Sequence, residues 1–97
     1  MLNQTDILHF LKRNKQTLRQ VYGVERIGLF GSYARANPHA DSDIDLLVTF
    51  SQQDFMLWSG LLNYLQQSLG CKVDLITEGS HMTAGFIKQV EKEIIYA

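Results

Sequence analysis

Residues 31–36, GSYARA, and residues 42–48, SDIDLLV, decide the fold. The first segment is a turn of small residues that can approach a phosphate, and the second is an apolar strand that carries two carboxylates. Because strand side chains alternate between faces, Asp43 and Asp45 project from the same side, about 6.5 Å apart along the backbone. Two carboxylates so placed predict a site for two magnesium ions that hold a nucleoside triphosphate for in-line attack.

A third carboxylate lies in a similar apolar run further along the chain. Asp74 is flanked by Val73 and Leu75 in the sequence KVDLIT at residues 72–77. We expect Asp74 to be the third metal ligand and the base that deprotonates the attacking hydroxyl. A solvent-facing aspartate on an edge strand is the alternative. The turn and the three aspartates together indicate nucleotidyl transfer.

Three residues of the turn are candidates for nucleotide binding. Gly31 lets the chain turn sharply towards a ligand, and Ser32 offers a hydroxyl and a backbone N–H at a helix start. An ordinary strand-to-helix turn capped by Ser32 is the alternative, and the nearby aspartates favour phosphate binding. Arg35 could neutralise phosphate charge, or it could pair with a carboxylate or cover apolar surface with its aliphatic stem, and the sequence favours neither role.

Two common ligand loops are excluded by their missing residues. Asp41, Asp43 and Asp45 have the spacing of the first ligands in an EF-hand loop. However, Leu46 and Gln52 occupy the positions where that loop needs Gly and Glu. No G-x-x-x-x-G-K-[ST] pattern is present, so the turn is not a P-loop.

Length and composition predict one domain, residues 1–97, in a reducing compartment. The 97 residues are 45% apolar and carry a net charge of −1, which disfavours non-specific binding to nucleic acid. The single Cys71 excludes a disulfide within the chain, and we expect a buried thiol there. No apolar run is long enough to span a bilayer, and residues 1–20 lack the apolar block of a signal peptide. A cytoplasmic location is expected.

Hydrophobic periodicity and Gly or Pro punctuation predict helices that alternate with strands. The predicted elements are a helix from Asn3 or Thr5 to Gly23, a strand at 24–30, a short helix at 32–36, a strand at 43–50, a helix from about Trp58 to Gly70, a strand at 72–77, and a helix through 86–94 entered from a loop near Gly79 and Ser80. This order is typical of an α/β fold. The two strands that carry aspartates must lie side by side if Asp74 is to approach Asp43 and Asp45, and the helix between them suits a crossover.

The chain resembles the minimal nucleotidyltransferases of the polymerase-β-like superfamily. The family pattern is a hydrophobic residue, Gly, Gly or Ser, about ten further residues, and then Asp-hydrophobic-Asp, which Phe30-Gly31-Ser32 and Asp43-Ile44-Asp45 satisfy. Small members end the first segment Ala-Arg-Gly, whereas this chain has Ala36 at the last position. The resemblance spans about residues 5–97. It implies an α/β (α+β) fold, with a small mixed β-sheet and helices packed mainly on one side.

The resemblance also implies a specific activity. Small relatives act as antitoxins that use Mg2+ and ATP to add AMP to a tyrosine of a HEPN-domain ribonuclease toxin encoded beside them. A separate acceptor protein is in keeping with a chain that has no evident substrate domain, although a cleft shared between copies of this chain is a second possibility. The alternatives are an antitoxin that neutralises its partner by binding alone, and a small-molecule nucleotidyltransferase of the antibiotic-modifying type. An apolar patch on the last helix or on the Trp58 helix is the expected contact with the toxin.

Overall fold

The computed structural model describes residues 2–38, 41–79 and 82–97. The elements are α1 (Gln4–Arg13), α2 (Lys15–Tyr22), β1 (Val24–Phe30), α3 (Gly31–Ala34), β2 (Ile44–Phe50), α4 (Phe55–Leu69), β3 (Val73–Thr77), α5 (Ala84–Glu93) and β4 (Ile95–Tyr96). In these ranges no helix has both the length and the apolar character needed to cross a membrane.

The four strands form one mixed sheet in the order β3-β2-β1-β4. Strand β1 is antiparallel to both β2 and β4, whereas β2 and β3 are parallel and α4 connects them. A parallel pair requires such a crossover, because the chain must return to the same end of the sheet. The prediction that the two aspartate-bearing strands are neighbours is therefore confirmed.

The two faces of the sheet carry different numbers of helices. The main core lies on one face, where leucine and isoleucine side chains of α1, α2 and α4 pack on inward residues of the strands, such as Leu46 and Val48 of β2. The opposite face carries a smaller cluster in which Val90 of α5 packs against Leu47 and Phe30. The expected arrangement, a mixed sheet with helices mainly on one side, is confirmed.

The N-terminal helix is divided, which differs from the single helix that periodicity predicts. Asn3 begins α1 with a capping box, as expected, and Gly23 ends α2 in the left-handed conformation. Between them Asn14 has φ −101° and ψ 15° and separates the two helices. Its side-chain amide donates to the Phe10 carbonyl at 2.8 Å and its oxygen accepts from the Tyr64 hydroxyl at 3.3 Å. These local and tertiary hydrogen bonds compete with a continuous helix.

Strand β4 is not predicted from the sequence. Two residues are too few to show the alternation that reveals a strand. Their position depends on β1, because Gly28 pairs with Tyr96 and Leu29 pairs with Ile95. A Cβ atom at Gly28 would lie 2.7 Å from the Ile94 side chain and 2.9 Å from that of Tyr96. The absent side chain of this glycine therefore gives the C-terminal segment room to add to the sheet.

Other element boundaries differ from the predictions by one to three residues, the largest difference being the start of α4 at Phe55 rather than near Trp58. Strands β2 and β3 begin at Ile44 and Val73 rather than at 43 and 72, and α3 covers Gly31–Ala34 rather than 32–36. Such shifts at element ends are ordinary. The loop expected to lead into α5 includes Ser80, which lies outside the described residues.

Candidate active site

The structure brings Asp45 and Asp74 together on adjacent strands. They are register partners in the parallel β2–β3 pair, so their side chains leave the same face of the sheet from strands about 4.8 Å apart. Asp45 is partly buried, whereas Asp74 is exposed on β3, an edge strand. Asp43 immediately precedes β2, and its Oδ2 lies 4.0 Å from the Lys72 ammonium. The three predicted carboxylates therefore lie at one end of the β2–β3 pair.

Gly31 begins its turn directly against the central carboxylate. Phe30, the last residue of β1, pairs with Asp45, and Gly31 follows with φ +77°. A Cβ atom at Gly31 would overlap Oδ2 of Asp45 and would lie 2.9 Å from its Cγ. Both the backbone angle and the lack of space therefore require glycine. Ser32 follows as the second residue of α3 and is partly buried.

Arg35 pairs with a carboxylate that the sequence does not single out. Its Nη1 lies 2.9 Å from Oε2 and 3.1 Å from Oε1 of Glu93, at the end of α5. The same Glu93 Oε2 accepts the backbone N–H of Gly31 at 2.5 Å. Of the two alternatives for Arg35, pairing with a carboxylate is thus present in the structure. One sequence signal is available for Glu93: an acid in the last turn of a helix opposes the helix dipole and therefore indicates a tertiary partner.

The site carries an excess of negative charge around Asp45. Burial and, after it, the neighbouring carboxylates of Asp74, Asp43 and Glu93 raise the pKa of this carboxyl from 3.8 to about 6, while Arg35 opposes them. Such a group is ionised at neutral pH only at an electrostatic cost, which a divalent cation would offset.

Carboxylate oxygens are the ligands that Mg2+ prefers, so the donor chemistry fits this ion. Within the described ranges, however, no three acidic, histidine or cysteine side chains are close enough to form a ready-made metal cluster. Mg2+ is commonly held by one or two carboxylates together with substrate phosphate oxygens. The arrangement of Asp45, Asp74 and Asp43 fits a cation that arrives with its nucleotide better than a permanent three-ligand site.

Other polar and aromatic residues of the region have structural roles. Tyr33 is only 5% exposed and belongs to the main core, and burial and the nearby Cys71 raise its pKa. Cys71 is partly buried, rather than fully buried as the sequence suggests, and its thiol approaches the Ser42 carbonyl at 3.9 Å. The Trp58 indole donates to the Leu75 carbonyl at 3.1 Å, which ties α4 to β3.

Comparison with known proteins supports the sequence resemblance. The protein adenylyltransferase MntA of Thermococcus cleftensis is 39% identical over 97 residues, covering 99% of this chain and 97% of that protein. A solved minimal nucleotidyltransferase has a TM-score of 0.78 and 29% identity, covering 97% of this chain and 95% of the other. A chain from a toxin–antitoxin complex with AMP-PNP has a TM-score of 0.68 and 28% identity, covering 98% of this chain and 72% of the other. The family model described as Polymerase beta, Nucleotidyltransferase matches residues 5–97, so this chain is a nucleotidyltransferase and belongs to that family.

Proposed function

We propose that the chain transfers AMP from ATP to a tyrosine hydroxyl of a HEPN-domain toxin and thereby acts as its antitoxin. One observation carries the proposal: Asp45 and Asp74 are register partners beside the glycine turn at Gly31, in a chain of the nucleotidyltransferase family. The similar chain solved with AMP-PNP belongs to a toxin–antitoxin complex, which supports ATP as the donor and a toxin as the partner.

The aspartates divide the work of the transfer. Asp43 and Asp45 would hold the cation that accompanies the triphosphate, and Asp74 would supply a further carboxylate oxygen to it. When bound, Mg2+ supplies Lewis-acid stabilisation of the charge that develops on the phosphate oxygens. Gly31 shapes the turn, Ser32 orients the β- and γ-phosphates, and Arg35 offsets their charge.

Asp74 also accepts the proton of the attacking group. The acceptor O–H gives its proton to the Asp74 carboxylate as the oxygen bonds to the α-phosphorus. The bond from that phosphorus to the bridging oxygen breaks, and pyrophosphate leaves with the bonding electron pair. Asp74 is exposed on an edge strand, which supports an acceptor that approaches from another macromolecule.

An apolar surface close to this strand supports a protein partner. At the start of α4 the side chains of Phe55 and Met56 are 73% and 74% exposed. The Phe55 ring lies 5.7 Å from that of Trp58, beside a groove of about 560 Å3 that Leu75 of β3 also lines. Leu75 follows Asp74 on β3, so a toxin seated here would lie against the edge strand that carries the carboxylate, although the two side chains leave opposite faces of the sheet. Of the two predicted contact surfaces, this favours the Trp58 helix over the last helix.

Incubation with ATP, Mg2+ and the proposed HEPN-domain toxin should add AMP to the toxin. We expect mass gains of one or more AMP units that map to tyrosine, and loss of ribonuclease activity in step with them. The triple variant Asp43→Asn, Asp45→Asn, Asp74→Asn should give neither effect. Neutralisation by the triple variant, with no mass gain in the wild-type reaction, would favour inhibition by binding alone.

Asp74→Ala should impair catalysis more than nucleotide binding. Asp43 and Asp45 remain to bind the cation that accompanies ATP, whereas the acceptor hydroxyl loses its base, so we expect a loss in kcat of about 100-fold or more. Calorimetry of ATP binding beside turnover at saturating ATP separates the two effects. Asp41→Ala, which removes an exposed acid next to the site, is the matched control. Weak ATP binding with normal saturated turnover would instead assign Asp74 to nucleotide binding.

A further inference from the structure

One carboxylate holds both ends of the short helix that follows the catalytic turn. Glu93 accepts the N–H of Gly31, the first residue of α3, and pairs with Nη1 of Arg35, the residue that ends it. Only Ser32, Tyr33 and Ala34 lie between these two anchors. Glu93, which is 62 residues away from Gly31, therefore contributes to the placement of Ser32, together with Gln4 of α1, whose side-chain amide donates to the Ala34 carbonyl at 2.7 Å.

The Glu93 carboxylate is itself held in a defined position. Its side chain is 15% exposed, and α5 is fixed to the sheet by Val90 and by Phe86, whose ring meets that of Phe30 edge-on at 5.9 Å. Charge-assisted hydrogen bonds of this kind are stronger than neutral ones and restrict geometry. A carboxylate at the end of a helix faces an unfavourable dipole, so these two donors account for its presence there.

We propose that Glu93 is a positioning residue for nucleotidyl transfer, which fastens the Gly31–Arg35 turn so that Ser32 and Arg35 face the triphosphate. The inference rests on the proposed function and extends it to a residue outside the aspartate set. Glu93 acts through the turn and through Arg35.

The hydrogen bonds of Arg35 indicate that Glu93 orients the guanidinium and does not compete with the triphosphate for it. A guanidinium has five N–H donors, and both contacts with Glu93 use Nη1. The Arg35 side chain is 52% exposed, so its remaining donors can reach a phosphate while the ion pair persists. Glu93 thus orients Arg35 without taking its place at the triphosphate.

Substitution at Glu93 should weaken ATP binding, and the loss should be larger when more of the Glu93 hydrogen bonds are removed. Glu93→Ala removes all of them, and we expect the KM for MgATP and the calorimetric Kd to rise about tenfold or more. Glu93→Gln keeps an oxygen that can accept the Gly31 N–H, so it should recover part of the affinity. Glu91→Ala and Glu91→Gln, at an exposed acid of the same helix, are the matched controls and should match wild type. Unchanged or tighter ATP binding in folded Glu93→Ala protein would overturn the proposal.

A double-mutant cycle tests whether Glu93 acts through Arg35. Arg35→Ala combined with Glu93→Ala should weaken ATP binding by clearly less than the product of the two single effects, because both variants break the same pair. If the double variant loses ATP affinity by the full product of the two single losses, a positioning role for Glu93 is contradicted. A role in stability alone would lower Tm in Glu93→Ala and leave ATP affinity unchanged, which also contradicts it.

A measurement without substrate separates this inference from the proposed function. In NMR spectra of the nucleotide-free protein, the Gly31 amide proton should lie downfield in wild type and shift upfield in Glu93→Ala, while Glu91→Ala leaves it in place. An unshifted Gly31 amide overturns the positioning inference even if wild type modifies the toxin. If wild type binds ATP but never modifies the toxin, the proposed function fails. Loss of ATP affinity in Glu93→Ala would then still support Glu93 as the residue that orders the turn.

Discussion

Asp45→Asn should reduce AMP transfer by about 1,000-fold or more and leave the fold intact. Asp45 is the central carboxylate of the site, paired with Asp74 across the strands and packed against Gly31. Replacing its charge removes the proposed ligand for the cation that accompanies ATP, and losses of several kcal/mol in transition-state stabilisation correspond to this factor. Single-turnover assays with saturating MgATP measure the chemical step directly.

The same substitution should stabilise the protein in the absence of metal. Burial and neighbouring carboxylates raise the pKa of Asp45 from 3.8 to about 6. The folded protein therefore holds this proton more tightly than the unfolded chain does, and the free energy of unfolding falls as pH rises from about 4 to about 6. Asparagine removes this pH dependence. In urea unfolding above about pH 6, Asp45→Asn should therefore have a higher free energy of unfolding than wild type, and the difference should disappear below about pH 4.

The change in Tm on addition of Mg2+ and ATP is a further comparison between wild type and Asp45→Asn. Added Mg2+ with ATP should raise the Tm of wild type by mass action and have little effect on Asp45→Asn. Asp41→Asn removes an acid that precedes the site and should behave as wild type in all three measurements. Near-normal turnover of Asp45→Asn in protein freed of wild-type contamination would reject Asp45 as a cation ligand.

The local pattern of the sequence predicts the part of the site that lies on strands. Alternation puts Asp43 and Asp45 on one face, and the apolar runs around Asp45 and Asp74 identify two strands joined by a crossover helix. In the structure these strands are adjacent and parallel, with Asp45 opposite Asp74. The prediction succeeds because strand periodicity and the crossover rule depend on residues close together in the sequence.

Contacts between distant segments are not encoded in such patterns. Glu93 meets Gly31 and Arg35 only after α5 has packed across the sheet, and the interruption at Asn14 involves a hydrogen bond with Tyr64 of α4. Strand β4 likewise exists because Gly28 leaves space beside β1. Each depends on tertiary packing, which overrides the preferences of a short window.

Gly31→Ala should cause the second large loss, in both stability and transfer. At φ +77° an L side chain is strained by about 1–2 kcal/mol, and here its Cβ would also overlap the Asp45 carboxylate. The folded protein must then shift Asp45 or the turn, so we expect a stability loss greater than the backbone strain alone. Transfer should fall by about 100-fold or more, because either shift disturbs the placement of reacting groups.

Gly70→Ala separates backbone strain from the contact with Asp45. Gly70 ends α4 with φ +65°, and a Cβ atom there would meet no heavy atom within 4 Å. Alanine at residue 70 should therefore lose about 1–2 kcal/mol of unfolding free energy and keep normal transfer. Urea unfolding and transfer assays on Gly31→Ala and Gly70→Ala measure how much the overlap with Asp45 adds to the losses of stability and activity. Equal stability losses with full activity in Gly31→Ala would mean that the turn can move away from Asp45 without consequence, and that its position does not govern the reaction.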